Sequence, residues 1–231
     1  AMVAHSARRR TDTPPPATLA KERAALAPLV WLAGMSVTMA FVREALSFWS
    51  PLLLVESCAL PAATAVRASA LLPLASGLGA LLAGLRADRG LRSLAAVTLV
   101  PLLVAGIGLG LLAAHELGAS GTLLLLAVVS CCTAMPQSLV SGVLPLRTGA
   151  SGGATRLGFV DGMGTMGAVF AAGGVARVRE AWGMPIALAA LACTIALAAL
   201  ATLGFLVTSR RAHRFASRTL AGEPASSTAS E

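Results

Sequence analysis

Six apolar stretches alternate with short polar segments along the chain. They cover residues 29–55, 63–85, 91–115, 122–144, 157–177 and 185–207. A hydrocarbon layer ~30 Å thick takes about 20 helical residues, so each stretch is long enough to cross it. Backbone groups in lipid must bond to one another within the segment, so each stretch predicts a helix. The expected fold is all-α: a polytopic membrane bundle of six transmembrane helices over residues 27–208. A polar, basic segment (1–26) precedes it and a Ser/Thr/Ala-rich tail (209–231) follows, both expected to be disordered. Pro28 suits the first position of a helix, where a missing N–H is harmless. Pro51, Pro73, Pro101 and Pro136 fall inside spans, where neighbouring helices can satisfy the freed backbone groups. No apolar core follows Arg8-Arg9-Arg10 at signal-peptide distance.

Composition agrees. Of 231 residues, 56% are hydrophobic and 12% charged, with mean hydropathy +0.80. Soluble domains carry about 25% charged residues. The net charge of +8 would suit nucleic acid, but its distribution points to a lipid bilayer instead. Fourteen of the 18 lysines and arginines fall before the first span, between the second and third, between the fourth and fifth, or after the sixth. Arg67, Arg177 and Arg179 fall on the opposite side. This is the positive-inside pattern, and it predicts an integral multi-pass protein with both termini in the cytoplasm. Nucleic acid is excluded as a partner.

The four cysteines have no metal-ligand spacing, and vicinal Cys131-Cys132 reads as small-residue packing. His5, His115 and His213 are scattered. No nucleotide loop or metalloprotease helix is present, so no cofactor, metal or enzyme activity is expected.

The chemistry lies in charges that break the apolar pattern. Arg43 sits inside the first span, beside Glu44 and shortly before Trp49-Ser50-Pro51. An arginine at a helix centre costs roughly 2.5–3.5 kcal/mol on insertion scales, so it is kept where it faces the bundle interior, a watery cavity or a ligand. Adjacent helical positions point in different directions, so Glu44 is expected to be a poor partner for it. The segment Gly84-Leu85-Arg86-Ala87-Asp88-Arg89-Gly90-Leu91-Arg92 joins the second and third spans, with Gly77 and Gly79 before it. Gly77 and Gly84 are expected to permit close helix approach. Asp88 can cap the helix end or pair with a nearby arginine, and a state-dependent ion pair there could latch one conformation. A plain basic turn is the alternative. Asp161, near the start of the fifth span, fits a helix-end residue bonded to backbone or to Arg156. It also fits a gating ion pair or proton-coupling carboxylate. Gly158, Gly162, Gly164 and Gly167 around it suit tight packing. Gln137, beside Pro136, is a polar candidate for a cavity wall.

The G-x-x-x-D-R-G-x-R loop resembles the cytoplasmic loop signature of the major facilitator superfamily. Arg43, five residues, then Trp49-Ser50-Pro51 resembles the seventh helix of its organophosphate:phosphate antiporters. The segment from Gly158 to Ala168 is similar to the eleventh helix of the related sugar-phosphate exchangers. The likeness covers residues 29–208. It implies one six-helix half, the C-terminal one, of a twelve-helix transporter, with an N-terminal six-helix half as partner; Ala1, in place of Met, fits a fragment. It also implies exchange of an organic phosphate, such as a sugar phosphate, for inorganic phosphate by alternating access. Arg43 and Gln137 would then contact the substrate, and Gly84, Asp88, Arg89, Arg92 and Asp161 would act in gating. A guanidinium suits that role, being a planar, permanently charged fork matched to phosphate oxygens. The chain departs from the family in having no tyrosine. Two alternatives remain open: a carrier of another organic anion, and a truncated half without transport activity.

Overall fold

A computed structural model describes the backbone of residues 16–87, 91–115, 117–147 and 153–221, with side chains described over 26–87, 94–115, 117–146 and 153–210. The elements are α1 (Pro16–Cys58), α2 (Ala62–Ser69), α3 (Leu71–Arg86), α4 (Leu91–Ala114), α5 (Ala119–Val140), α6 (Val143–Arg147), α7 (Gly153–Trp182) and α8 (Met184–Ala221). No strand occurs among the described residues. Six stretches are long and apolar enough to cross a membrane: Leu26–Cys58, Ala62–Arg86, Leu94–Ala114, Ala119–Leu146, Gly153–Trp182 and Met184–Arg210. This is the make-up of an integral multi-pass membrane protein.

The ends depart from expectation. Helix α1 begins at Pro16 and α8 runs to Ala221, so residues 16–26 and 209–221 are helical rather than disordered. Both segments are rich in Ala, Leu, Arg and other strong helix formers, and each continues a long helix that needs no new nucleus. Pro28 accordingly lies within α1 and does not start it. Pro51, Pro101 and Pro136 also lie inside helices. The second span is broken at Ala70. Pro73 explains the break, because its ring would clash with the carbonyl of Ser69 in an unbroken helix. In the first turn of α3 its missing N–H is not needed. The fourth span breaks too, at Ser141–Gly142, before short α6. Helices α7 and α8 meet in a sharp hairpin at Gly183, whose φ of +86° favours glycine. Its N–H donates to the Arg179 carbonyl at 2.8 Å.

Four helices make the centre of the bundle. Helix α1 packs on α8, α8 on α4, α4 on α5, and α5 closes back on α1. Fully buried side chains from all four fill it, among them Met39, Leu54, Leu102, Leu126 and Ile195. Two helices flank this ring, α7 against α1 and α3 against α5. The flanks are far less covered: 17% of the apolar window of the second span is buried, against 56% for the fourth.

The flanking contacts are close because glycine removes the side chain. A Cβ at Gly79 would run into the Cys131 carbonyl of α5, and one at Gly167 into the Val37 carbonyl of α1. Gly77 and Gly84 do not make the close approach expected of them; both are exposed, with nothing within 4 Å of a Cβ. Gly77 and Gly84 are seven residues apart and share one face, while Gly79 is on another, the one turned to α5. Likewise Gly164 and Gly167 pack against α1, whereas Gly158 and Gly162 face open space.

Candidate functional site

Arg43 lies within one residue of the midpoint of the Leu26–Cys58 span. Its side chain is 45% exposed. Nε and Nη2 both donate to Oε1 of Glu44, at 3.1 and 2.7 Å. The expectation that Glu44 would be a poor partner is therefore corrected. Their Cβ atoms do point apart, but both side chains are long and partly open, and each leans around the helix to meet the other. Ser47, one turn on, donates its hydroxyl to the Arg43 carbonyl at 2.9 Å.

The surroundings of Arg43 follow from how α1 meets α7. Gly164 sits against Ser36 and Ala40, Gly167 against Val37, and Gly174 against Phe41, so the two helices run in the same direction. At a 3.6-residue period, Ser36, Ala40, Arg43 and Ser47 fall along one stripe of α1. The flank of α7 on that same side carries Gly158, Asp161, Thr165, Ala168 and Ala172. Phe159, Met166 and Phe170 fall on its other flank. The exposed side of the α1–α7 pair around Arg43 is thus mostly small and polar, although exposed Val169 shares the stripe of Thr165 and Ala172, and the aromatic and thioether side chains point elsewhere.

Asp161 is exposed, and no ion pair holds its carboxylate among the described residues. The suggested pairing with Arg156 is not formed, because residues five apart lie on different sides of a helix. Arg156 instead has its Nη1 buried without a partner among the described residues. The Asp161 carbonyl accepts the Thr165 hydroxyl at 3.2 Å. Asp161 and Arg43 do not meet: Gly164 lies level with Ser36 and Ala40. At 1.5 Å per residue this separates Asp161 and Arg43 by on the order of 12 Å along the axes.

Gln137 is not on this open side. It is 8% exposed, and its Nε2 donates to Ser141 Oγ at 3.0 Å, while its Oε1 is buried without a partner among the described residues. Gly84, at the exposed end of α3, accepts the Ala87 N–H through its carbonyl at 3.1 Å. Asp88 and Arg89 lie outside the described residues. Arg92 is on the first turn of α4, with its side chain outside them.

A second charged cluster was not anticipated. Arg179, near the end of α7, pairs through Nη2 with Glu56 Oε1 on α1, and its Nε donates to Oε2 at 3.3 Å. The same guanidinium lies over the Trp49 ring, 5.8 Å from its centroid. Behind Trp49 is a small apolar cleft lined by Leu46, Ser50, Leu126, Val175 and Leu188. Arg43 does not line it. No group of three His, Cys, Asp or Glu able to hold a metal is found among the described residues. In comparison with known proteins, the chain matches no family model and no curated protein.

Proposed function

We propose that the chain is the C-terminal six-helix half of a major facilitator secondary transporter. It exchanges organic phosphate, with sugar phosphate the leading candidate, for inorganic phosphate by alternating access. One observation carries the reading: a mid-span arginine, 45% exposed, on a side of the bundle lined mostly by small and polar residues. Lipid would be an unfavourable neighbour for that guanidinium, whereas a phosphate would offset its charge. In this reading the open side around Arg43 faces a central cavity closed by a second six-helix half. Both termini are cytoplasmic, as the distribution of basic residues implies. Arg43 binds the phosphate. Gly84, Asp88, Arg89 and Arg92 act in the loop latch, and Asp161 acts in gating.

The test is phosphate exchange in proteoliposomes using the complete reading frame, with wild type beside Arg43→Lys. Lysine keeps the charge and loses the planar fork. The reading expects phosphate uptake that trans-loaded sugar phosphate accelerates and that Arg43→Lys abolishes. Uptake unaffected by Arg43→Lys, or no phosphate exchange in a folded protein, counts against it. The absence of tyrosine, and with it of aromatic hydroxyls, favours a second reading. In that reading the carrier takes another organic anion, and phosphate does not compete for Arg43.

A further inference from the structure

The side-on edge of the Arg43 guanidinium is already engaged. A phosphate docks on a guanidinium through two parallel N–H···O bonds along one edge. The Nε–Nη2 edge of Arg43 already points at a carboxylate oxygen, Glu44 Oε1, at 3.1 and 2.7 Å. Nη1 makes no hydrogen bond among the described residues. Glu44 is on the same helix, so its carboxylate is present at high effective concentration and cannot diffuse away.

We propose that Glu44 is a resident competitor: its carboxylate holds the side-on Nε–Nη2 edge of Arg43 and places a negative charge beside the rest of the guanidinium until a substrate anion displaces it. This rests on Arg43 being the phosphate site. Displacement is an exchange of one carboxylate for another anion, so an anion resembling the Glu44 carboxylate gains little by it. A singly charged carboxylate brings no more charge than Glu44 and lacks its tether. A doubly charged phosphate brings more charge and a third oxygen that can reach Nη1. Glu44 therefore lowers affinity for every anion by a similar factor, so that at moderate concentration only an anion that binds the guanidinium tightly, a phosphate before a monocarboxylate, displaces it. It also keeps the mid-span guanidinium compensated in the interval between release of one anion and binding of the next, which exchange requires.

The experiment measures protection of Arg43 from an arginine-selective dicarbonyl reagent, resolved to this residue by peptide mass spectrometry. The protein encoded by the complete reading frame, in lipid nanodiscs, is titrated with inorganic phosphate, then with acetate. In wild type, phosphate protects and acetate does not. In Glu44→Gln, the half-protecting phosphate concentration falls by roughly three- to tenfold, the scale of losing a partly exposed ion pair and its repulsion of the incoming anion. Acetate also begins to protect. Glu44→Asp, which keeps the charge on a shorter stem, falls between the two and guards against a folding defect in the first variant. Equal half-protecting concentrations in wild type and Glu44→Gln overturn the competitor role and leave the phosphate site standing. Failure of phosphate to protect Arg43 in any of the three proteins overturns both.

Discussion

Glu56 and Arg179 tie the far ends of α1 and α7 together across 123 residues of sequence, through two hydrogen bonds between carboxylate and guanidinium. Toward the other end the same helices are zipped by Gly164 and Gly167 against Ser36, Ala40 and Val37. The side of the bundle that carries Arg43 is thus framed by a helix pair fixed at two levels, by a charge clamp and by a glycine seam. These two sets of contacts hold α1 and α7 side by side at both levels.

The clamp should show as coupling. Glu56→Gln and Arg179→Gln each lower the thermal unfolding midpoint in detergent. The double variant is no worse than the larger single effect, because both singles break one contact. Arg179→Gln is the more damaging of the two, since it also removes the cation lying over Trp49. Strictly additive midpoint shifts would mean that the pair is not a unit.

The glycine seam gives a prediction with an internal control. Gly167→Ala forces a methyl into the Val37 carbonyl, and Gly79→Ala forces one into the Cys131 carbonyl. Backbone cannot move aside as a flexible side chain can, so each should destabilise the bundle by about 1–3 kcal/mol, the usual cost of overpacking. Gly162→Ala and Gly77→Ala meet nothing within 4 Å. There alanine gains up to about 1 kcal/mol of helix propensity, so these two should be neutral or stabilising. Reversible unfolding in mixed micelles ranks the four. Equal effects at all four positions would contradict the packing described here.

Much of this was legible in the chain and some of it was not, for physical reasons. The six spans were legible because bilayer thickness fixes how many apolar residues a crossing needs, and the two ends of each stretch moved by only a few residues. The break at Ala70 was marked by Pro73, yet proline alone does not say whether a helix kinks or restarts. Gly79 could not be separated from Gly77 by sequence, because the difference lies in which face α5 covers. The Arg43–Glu44 pair escaped because helix periodicity gives the direction of Cβ and not the reach of a long side chain. Arg179 and Glu56 are adjacent only once α1 and α7 run side by side.

The distribution of basic residues predicts an orientation that labelling can test. Single cysteines are placed at Ala63, where the second apolar stretch begins, and at Thr148, in the polar sequence between the fourth and fifth stretches, in a background with Cys58, Cys131, Cys132 and Cys193 replaced by serine or alanine. In right-side-out vesicles a membrane-impermeant maleimide should label Ala63→Cys, while Thr148→Cys reacts only after permeabilisation. The reverse result would place the termini outside and remove the positive-inside argument for the loop after α3.

Gln137 supplies the last prediction. Its carbonyl oxygen is buried without a partner among the described residues, and only its amide nitrogen is used, by Ser141. Burying such a group unsatisfied costs about 1–3 kcal/mol. Leucine fills a similar volume and has no polar atom to satisfy. Gln137→Leu should therefore hold or raise the stability of the folded bundle by roughly 1 kcal/mol, once the lost bond to half-buried Ser141 is set against the gain. A chain that keeps a destabilising amide has a use for it other than folding. The same variant should accordingly weaken phosphate exchange in the complete transporter. Stability and exchange moving in opposite directions would mark the Gln137 oxygen as a group that finds its partner in another conformation or in a bound ligand. A variant that is less stable and equally active would show instead that the bond to Ser141 is all that Gln137 provides.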